Sequence, residues 1–144
     1  MKIALYGLGY VGSVTAAMLA KAGHAVTGID TNSLKVDLIN KGESPVNEPC
    51  LADLIRDQVM QGRLTAIKRD ENSCNSDVIF ICVGTPSRGD GALDDSQVRR
   101  VVEEIVANRS KSDNPLTILN RSTCLPDTHL WANRIFKENS DLNA

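Results

Sequence analysis

The 144 residues carry 16 Lys and Arg against 18 Asp and Glu, a formal charge of −2, and no basic run, which argues against nucleic acid or an anionic membrane surface as a partner. That length is one domain able to bury about two-thirds of its unfolded surface without staples, and no apolar stretch approaches the ~20 residues of a spanning helix. With no secretory h-region at the start, a cytoplasmic location is expected, as are free thiols at Cys50, Cys74, Cys82 and Cys124, none of which has CxxC or Cys/His zinc spacing.

In chain order, Lys2-Ile3-Ala4-Leu5-Tyr6 predicts a strand. Gly7-Leu8-Gly9-Tyr10-Val11-Gly12 follows, and then a helix marked by Val11, Val14, Met18 and Ala22 at helical spacing. This strand, glycine turn and helix form a dinucleotide cradle. Gly7 allows the sharp turn, Gly9 lets the backbone approach a pyrophosphate, and Gly12 lets the helix pack closely on the sheet. The helix N-terminus then offers unpaired N–H groups to the phosphates.

Ala25-Val26-Thr27-Gly28-Ile29 predicts a second strand closing on Asp30, about 20 residues beyond the middle glycine as the fingerprint requires. A carboxylate there accepts hydrogen bonds from an adenosine ribose and repels a 2′-phosphate. Thr31 and Asn32 offer no Arg to neutralise one, so NAD is expected over NADP. The plainer alternative is that Asp30 only caps a helix beginning near Ser33.

Leu34, Leu38 and Ile39 mark that helix, ending at Gly42, and Leu51, Leu54, Ile55 and Val59 mark another ending at Gly62. The prolines of Glu43-Ser44-Pro45-Val46-Asn47-Glu48-Pro49 keep the two apart. Leu64 to Ile67 predicts a short peripheral strand, and Asp77 to Val83 a nearly all-apolar strand covered on both faces. Gly84 to Asp95 is the longest loop, at the carboxyl end of that strand, where open α/β sheets bind ligands. Ser96 offers an N-cap to a helix with Val98, Val101, Val102, Ile105 and Val106 inward. Asn108 to Pro115 leads to a strand from Leu116 to Asn120, and Asp127 onward to a last helix through Trp131 and Ile135. The order is that of an α/β, Rossmann-type doubly wound, mostly parallel sheet with helices on both faces.

Gly7-Leu8-Gly9-Tyr10-Val11-Gly12, Glu48-Pro49-x-Leu51, Ile81-Cys82-Val83-Gly84-Thr85-Pro86 and Arg121-Ser122-Thr123 together resemble the UDP-glucose and GDP-mannose 6-dehydrogenase family, over almost the whole chain. The wording around Ile81 to Ser87 and Leu38 to Pro49 is slightly closer to the GDP-mannose branch. The resemblance implies an NAD-dependent oxidation of a nucleotide sugar's C6 alcohol to a carboxylate, in which a cysteine captures the aldehyde between two hydride transfers. It places that cysteine in a downstream sugar-nucleotide domain beyond Ala144, so that residues 1–144 are the NAD-binding domain of a full-length homodimer and inactive alone. It also places Gly7, Gly9, Tyr10, Val11 and Gly12 along the pyrophosphate, Asp30 and Lys35 on the adenosine ribose, and Thr85 beside the ribose and pyrophosphate. Thr123 falls near the nicotinamide and reacting carbon.

Two family glycines are replaced, by Cys50 in Glu48-Pro49-Cys50-Leu51 and by Asp127 in Pro126-Asp127-Thr128. If position 50 has positive φ, a cysteine costs about 1–2 kcal/mol there. Two rival functions remain at the level of sequence: a stand-alone NAD-sensing module of similar length, and the NAD domain of a 3-hydroxy-acid or 6-phosphogluconate type dehydrogenase. For Thr85 and Thr123, hydroxyls bonding local backbone are the plain alternative. His24 and His129 lack a nearby acid pattern and are expected at surface or helix-end positions.

Overall fold

The computed structural model describes residues 1–69, 76–108 and 116–138. Cys74 and residues 109–115 of the expected return to the last strand lie outside them. The elements are β1 (Lys2–Tyr6), α1 (Tyr10–Lys21), β2 (Ala25–Asp30), α2 (Ser33–Asn40), α3 (Leu51–Met60), β3 (Leu64–Lys68), β4 (Val78–Ile81), α4 (Ser96–Asn108), β5 (Thr117–Asn120) and α5 (Pro126–Glu138). This is the order expected from the sequence.

All four strand pairings are parallel, in the spatial order β3-β2-β1-β4-β5. Side chains alternate along each strand, so Ile3 and Leu5 of β1 face α1, α2 and α3, while Ala4 and Tyr6 face α4 and α5. Both faces are covered, which is why β1 and β4 read as apolar runs rather than alternating ones. The strand order reverses between β1 and β4, and a crevice opens there at the carboxyl ends of the strands.

Three local expectations are corrected and one alternative is set aside. Val11, Val14 and Met18 of α1 are exposed, and Gly12, Ser13, Ala16, Ala17 and Ala20 are the buried face. A helix that must sit close to the sheet uses its smallest side chains for contact, which leaves the larger apolar ones outside. Leu34 is likewise exposed, and Val36 and Ile39 anchor α2 instead. Asp30 does not cap α2; Asn32 does, its side chain accepting from the Leu34 N–H at 3.0 Å. Ser96 is the first residue of α4 rather than its cap: its N–H donates to the Asp94 carboxylate at 3.0 Å, and the Asp95 carbonyl accepts the Arg99 N–H at 3.1 Å.

The loop after β4 is not open chain. Ser87 bridges Leu93, the Arg88 N–H donates to the Ala92 carbonyl at 2.7 Å, and Gly91 turns with φ +82°. It is a small hairpin held to the sheet's carboxyl edge.

Candidate cofactor-binding site

Gly7 leaves β1 with φ +97°, and a Cβ there would lie 2.5 Å from the Cys82 carbonyl oxygen, so two independent constraints require glycine. A Cβ on Gly12 would come within 1.7 Å of the Gly7 carbonyl oxygen. The start of α1 is therefore pressed onto the turn that precedes it. Gly9 differs: a Cβ there meets nothing within 4 Å, because it points into open space. A side chain at Gly9 offends only a ligand.

Gly9 caps α1 without a side-chain hydrogen bond, the first turn carries no acid, and the Ser13 N–H donating to the Gly9 carbonyl at 2.9 Å is the first amide the helix uses. The amides of Tyr10, Val11 and Gly12 are thus left at the positive end of the helix dipole. Beside them lies a cleft of about 380 Å³, with Gly7, Gly9, Asp30, Lys35, Arg69 and Gly84 among its lining. It contains the ends of β1, β2 and β4 together.

The Asp30 carboxylate accepts from the Leu8 N–H at 2.7 Å and the Asn32 N–H at 2.9 Å, and Lys35 Nζ lies 3.7 Å away. Each oxygen keeps a lone pair for a ribose hydroxyl. The backbone of the glycine turn thus holds the acid in place. Glycine turn, free amides and buffered acid fit a dinucleotide in the extended pose such folds use.

Among the expected residues, Gly7, Gly9, Asp30 and Lys35 line this cleft. Gly12 stands behind it, and Tyr10 and Val11 lie on the exposed first turn of α1. Thr85 follows Gly84 at the rim, and Thr123 is exposed in the loop between β5 and α5; neither lines the cleft. Their loops are stitched together nonetheless. Ser122 Oγ donates to the Val83 carbonyl at 2.8 Å, and the Arg121 and Ser122 N–H groups donate to the Ile81 carbonyl at 2.8 and 3.2 Å. Glu48 is exposed.

Cys82 lies on the cleft wall, and burial pushes its thiol up despite the nearby Arg121 charge. It is a neutral wall residue at pH 7. No group of three or more His, Cys, Asp or Glu suited to a metal exists among the described residues, and no described helix is long and apolar enough to cross a membrane.

Sequence reasoning missed Arg69. It follows β3, its N–H donates to the Asp30 carbonyl at 3.1 Å, and its Nε donates to Glu104 Oε2 at 2.6 Å. Asp30 therefore does have an arginine beside it, supplied by the neighbouring strand rather than by the next residues in the chain. Strand adjacency alone brings it there.

Comparisons with known proteins identify the family. The family model described as the UDP-glucose/GDP-mannose dehydrogenase family, NAD binding domain, matches residues 1–144. The chain is 46% identical over 130 residues to GDP-mannose 6-dehydrogenase of Pseudomonas aeruginosa, covering 89% of this chain and 30% of that protein. It is 36% identical over 139 residues to a UDP-glucose 6-dehydrogenase of Bacillus subtilis, covering 96% of this chain and 31% of that protein. Among solved structures, a ternary complex of the Pseudomonas aeruginosa GDP-mannose dehydrogenase superposes with a TM-score of 0.88 at 41% identity, over 99% of this chain and 33% of that one. The chain thus spans about 30% of the length of the curated relatives it matches.

Proposed function

The chain belongs to the UDP-glucose/GDP-mannose dehydrogenase family, whose NAD-binding domain it matches from end to end, and from that premise we propose how it holds NAD and which reaction it serves. The pyrophosphate would be held at Gly9 by the amides of Tyr10, Val11 and Gly12, and the adenosine ribose by Asp30, with Lys35 alongside. The loops after β4 and β5, which carry Thr85 and Thr123, would then receive the nicotinamide end. The single observation that carries this reading is the contrast between Gly9, whose Cβ direction is empty, and Gly12, whose Cβ direction is filled by the Gly7 carbonyl. A ligand approaching the backbone accounts for a glycine at the first, as close packing accounts for the glycine at the second.

NAD, when bound, supplies the hydride acceptor. The chain's own residues would bind and orient it: the helix end would stabilise the phosphates, Asp30 would fix the ribose, and Cys82 and Val83 would form part of the wall. The family resemblance supports Thr123 as the hydroxyl that would help position a water near the reacting carbon. We infer that the whole enzyme is cytoplasmic and oxidises the C6 alcohol of a nucleotide sugar, with the sugar-nucleotide pocket and the covalent thiol supplied by further chain. The higher identity to GDP-mannose enzymes supports that branch.

Titration calorimetry with both dinucleotides tests the reading. NAD is expected to bind more tightly than NADP, and Asp30→Arg to narrow or invert the preference. Equal or tighter NADP binding by the unaltered chain would remove the role given to Asp30.

A further inference from the structure

Two recesses meet at the adenosine end. The dinucleotide cleft and a shallower one of about 420 Å³ share Thr31 and Arg69, and the second is otherwise lined by Lys68, Glu104 and Asn108. A group attached to the 2′ oxygen of a ribose held by Asp30 would project from the first recess into the second. That recess already contains the residue types that bind phosphate: an arginine, a lysine, a hydroxyl and an amide. Its arginine, however, is already engaged. Arg69 Nε is bound to Glu104 Oε2 at 2.6 Å, and the side chains of the pair are 19% and 20% exposed, shielded enough for their charges to act on each other and on a ligand.

We propose that Glu104 is a specificity-determining residue: by neutralising Arg69 it excludes a 2′-phosphate, so that NADP is rejected by the Arg69–Glu104 pair as well as by Asp30. This rests on the reading that the ribose sits on Asp30. A 2′-phosphate entering the recess meets two carboxylates, Asp30 and Glu104, and can engage Arg69 only by displacing Glu104 and leaving that carboxylate half-buried without its partner. NAD, which carries only a hydroxyl there, disturbs nothing. Glu104 lies on α4, 74 positions from Asp30 along the chain, so its effect on cofactor choice is a product of the fold.

The test is Glu104→Gln, a change of charge with little change of shape, with NAD and NADP affinities measured by calorimetry on the 144-residue chain. The NADP affinity should rise at least about five-fold while the NAD affinity stays within about two-fold, since only the phosphate senses the lost charge. The double variant Arg69→Gln/Glu104→Gln should lose that gain. If Glu104→Gln melts early, Glu104→Ala with Arg69 intact serves instead and should raise the NADP affinity relative to NAD by a similar factor. An unchanged affinity ratio in a folded Glu104→Gln protein, or a gain that survives in the double variant, overturns the proposal while leaving NAD binding on Asp30 standing. A parent chain that binds neither dinucleotide overturns both.

Discussion

Cys50 has φ +63°, and it is the only non-glycine residue with positive φ among those described. The left-handed conformation costs a cysteine about 1–2 kcal/mol, while glycine in its place adds about 0.4–1 kcal/mol of unfolded-state entropy. Cys50→Gly should therefore stabilise the chain by up to about 1 kcal/mol in urea unfolding, and Cys50→Ala, which keeps the Cβ, should give no such gain. The other replaced glycine is harmless: Asp127 lies in the first turn of α5, where an acid is favoured by the helix dipole. Glycine substitutions in the cradle should separate into two kinds. Gly9→Val should abolish most NAD binding with little change in melting temperature. Gly12→Ala should lower the melting temperature too, because its methyl group meets the Gly7 carbonyl and α1 must move, at an expected 1–3 kcal/mol, roughly the overpacking range. The thiols also differ by position. Cys50 is exposed whereas Cys82 is partly buried with its pKa raised, so a thiolate-directed reagent at pH 7 should label Cys50 well before Cys82, and bound NAD should slow Cys82 further.

At the scale of elements, the α4–α5 junction braces the loops after β4 and β5. The buried Asp95 carboxylate, just before α4, accepts from the hydroxyl of buried Thr128 on α5 and from Arg99 Nε at 3.0 Å, and the Arg99 guanidinium stacks 4.7 Å from the Trp131 ring centre. One acid thereby ties the end of the Gly84–Asp95 hairpin to the helix that follows Thr123. The Thr128 hydroxyl, and then Arg99, hold the Asp95 carboxyl below the usual carboxylate range against the opposing effect of desolvation. A depressed folded-state pKa contributes stability that is complete above the ordinary Asp value of about 3.9 and is lost as pH falls through the lower folded value. Thr128→Val removes the largest cause of the shift. It should destabilise the chain by about 1–3 kcal/mol at pH 7, the cost of leaving a buried acceptor short of a donor, and should flatten the loss of stability below pH ~4. Urea unfolding at a series of pH values measures both, and a slope unchanged in Thr128→Val would remove Asp95 as its source.

For the whole molecule, the order β3-β2-β1-β4-β5 gathers the glycine turn, Asp30, Arg69 and the Cys82–Gly84 segment at one edge of the sheet. That edge binds and aligns a cofactor, but alignment supplies only part of a hydride-transfer barrier. The exposed Cys50 lies before α3, outside the cleft lining, and Cys82 is held neutral. The 144-residue chain is accordingly expected to bind NAD and to produce no NADH from GDP-mannose or UDP-glucose. Measurable NADH formation that disappears when all cysteines are blocked would show that a thiol of this chain is the nucleophile, and the assignment of that role to further chain would be wrong.

The succession of strands and helices was legible in the sequence because it is written in local signals: apolar runs of strand length, glycines at turns, and a carboxylate at a fixed distance from Gly9. The left-handed strain at Cys50 was legible conditionally, since its cost follows from φ alone once φ is known. Which face of α1 is buried was not, because hydropathy ranks Val11, Val14 and Met18 above the alanines, whereas closeness to the sheet selects for size. The Asp95–Thr128 contact and the Arg69–Glu104 pair join residues 33 and 35 positions apart, and no periodicity or motif links such positions. Local chemistry in the sequence determined that there is a dinucleotide cradle with an acid at its ribose end. Only the pairing of β3 with β2 decided that an arginine stands beside that acid, and only the placing of α4 brought a glutamate to hold it.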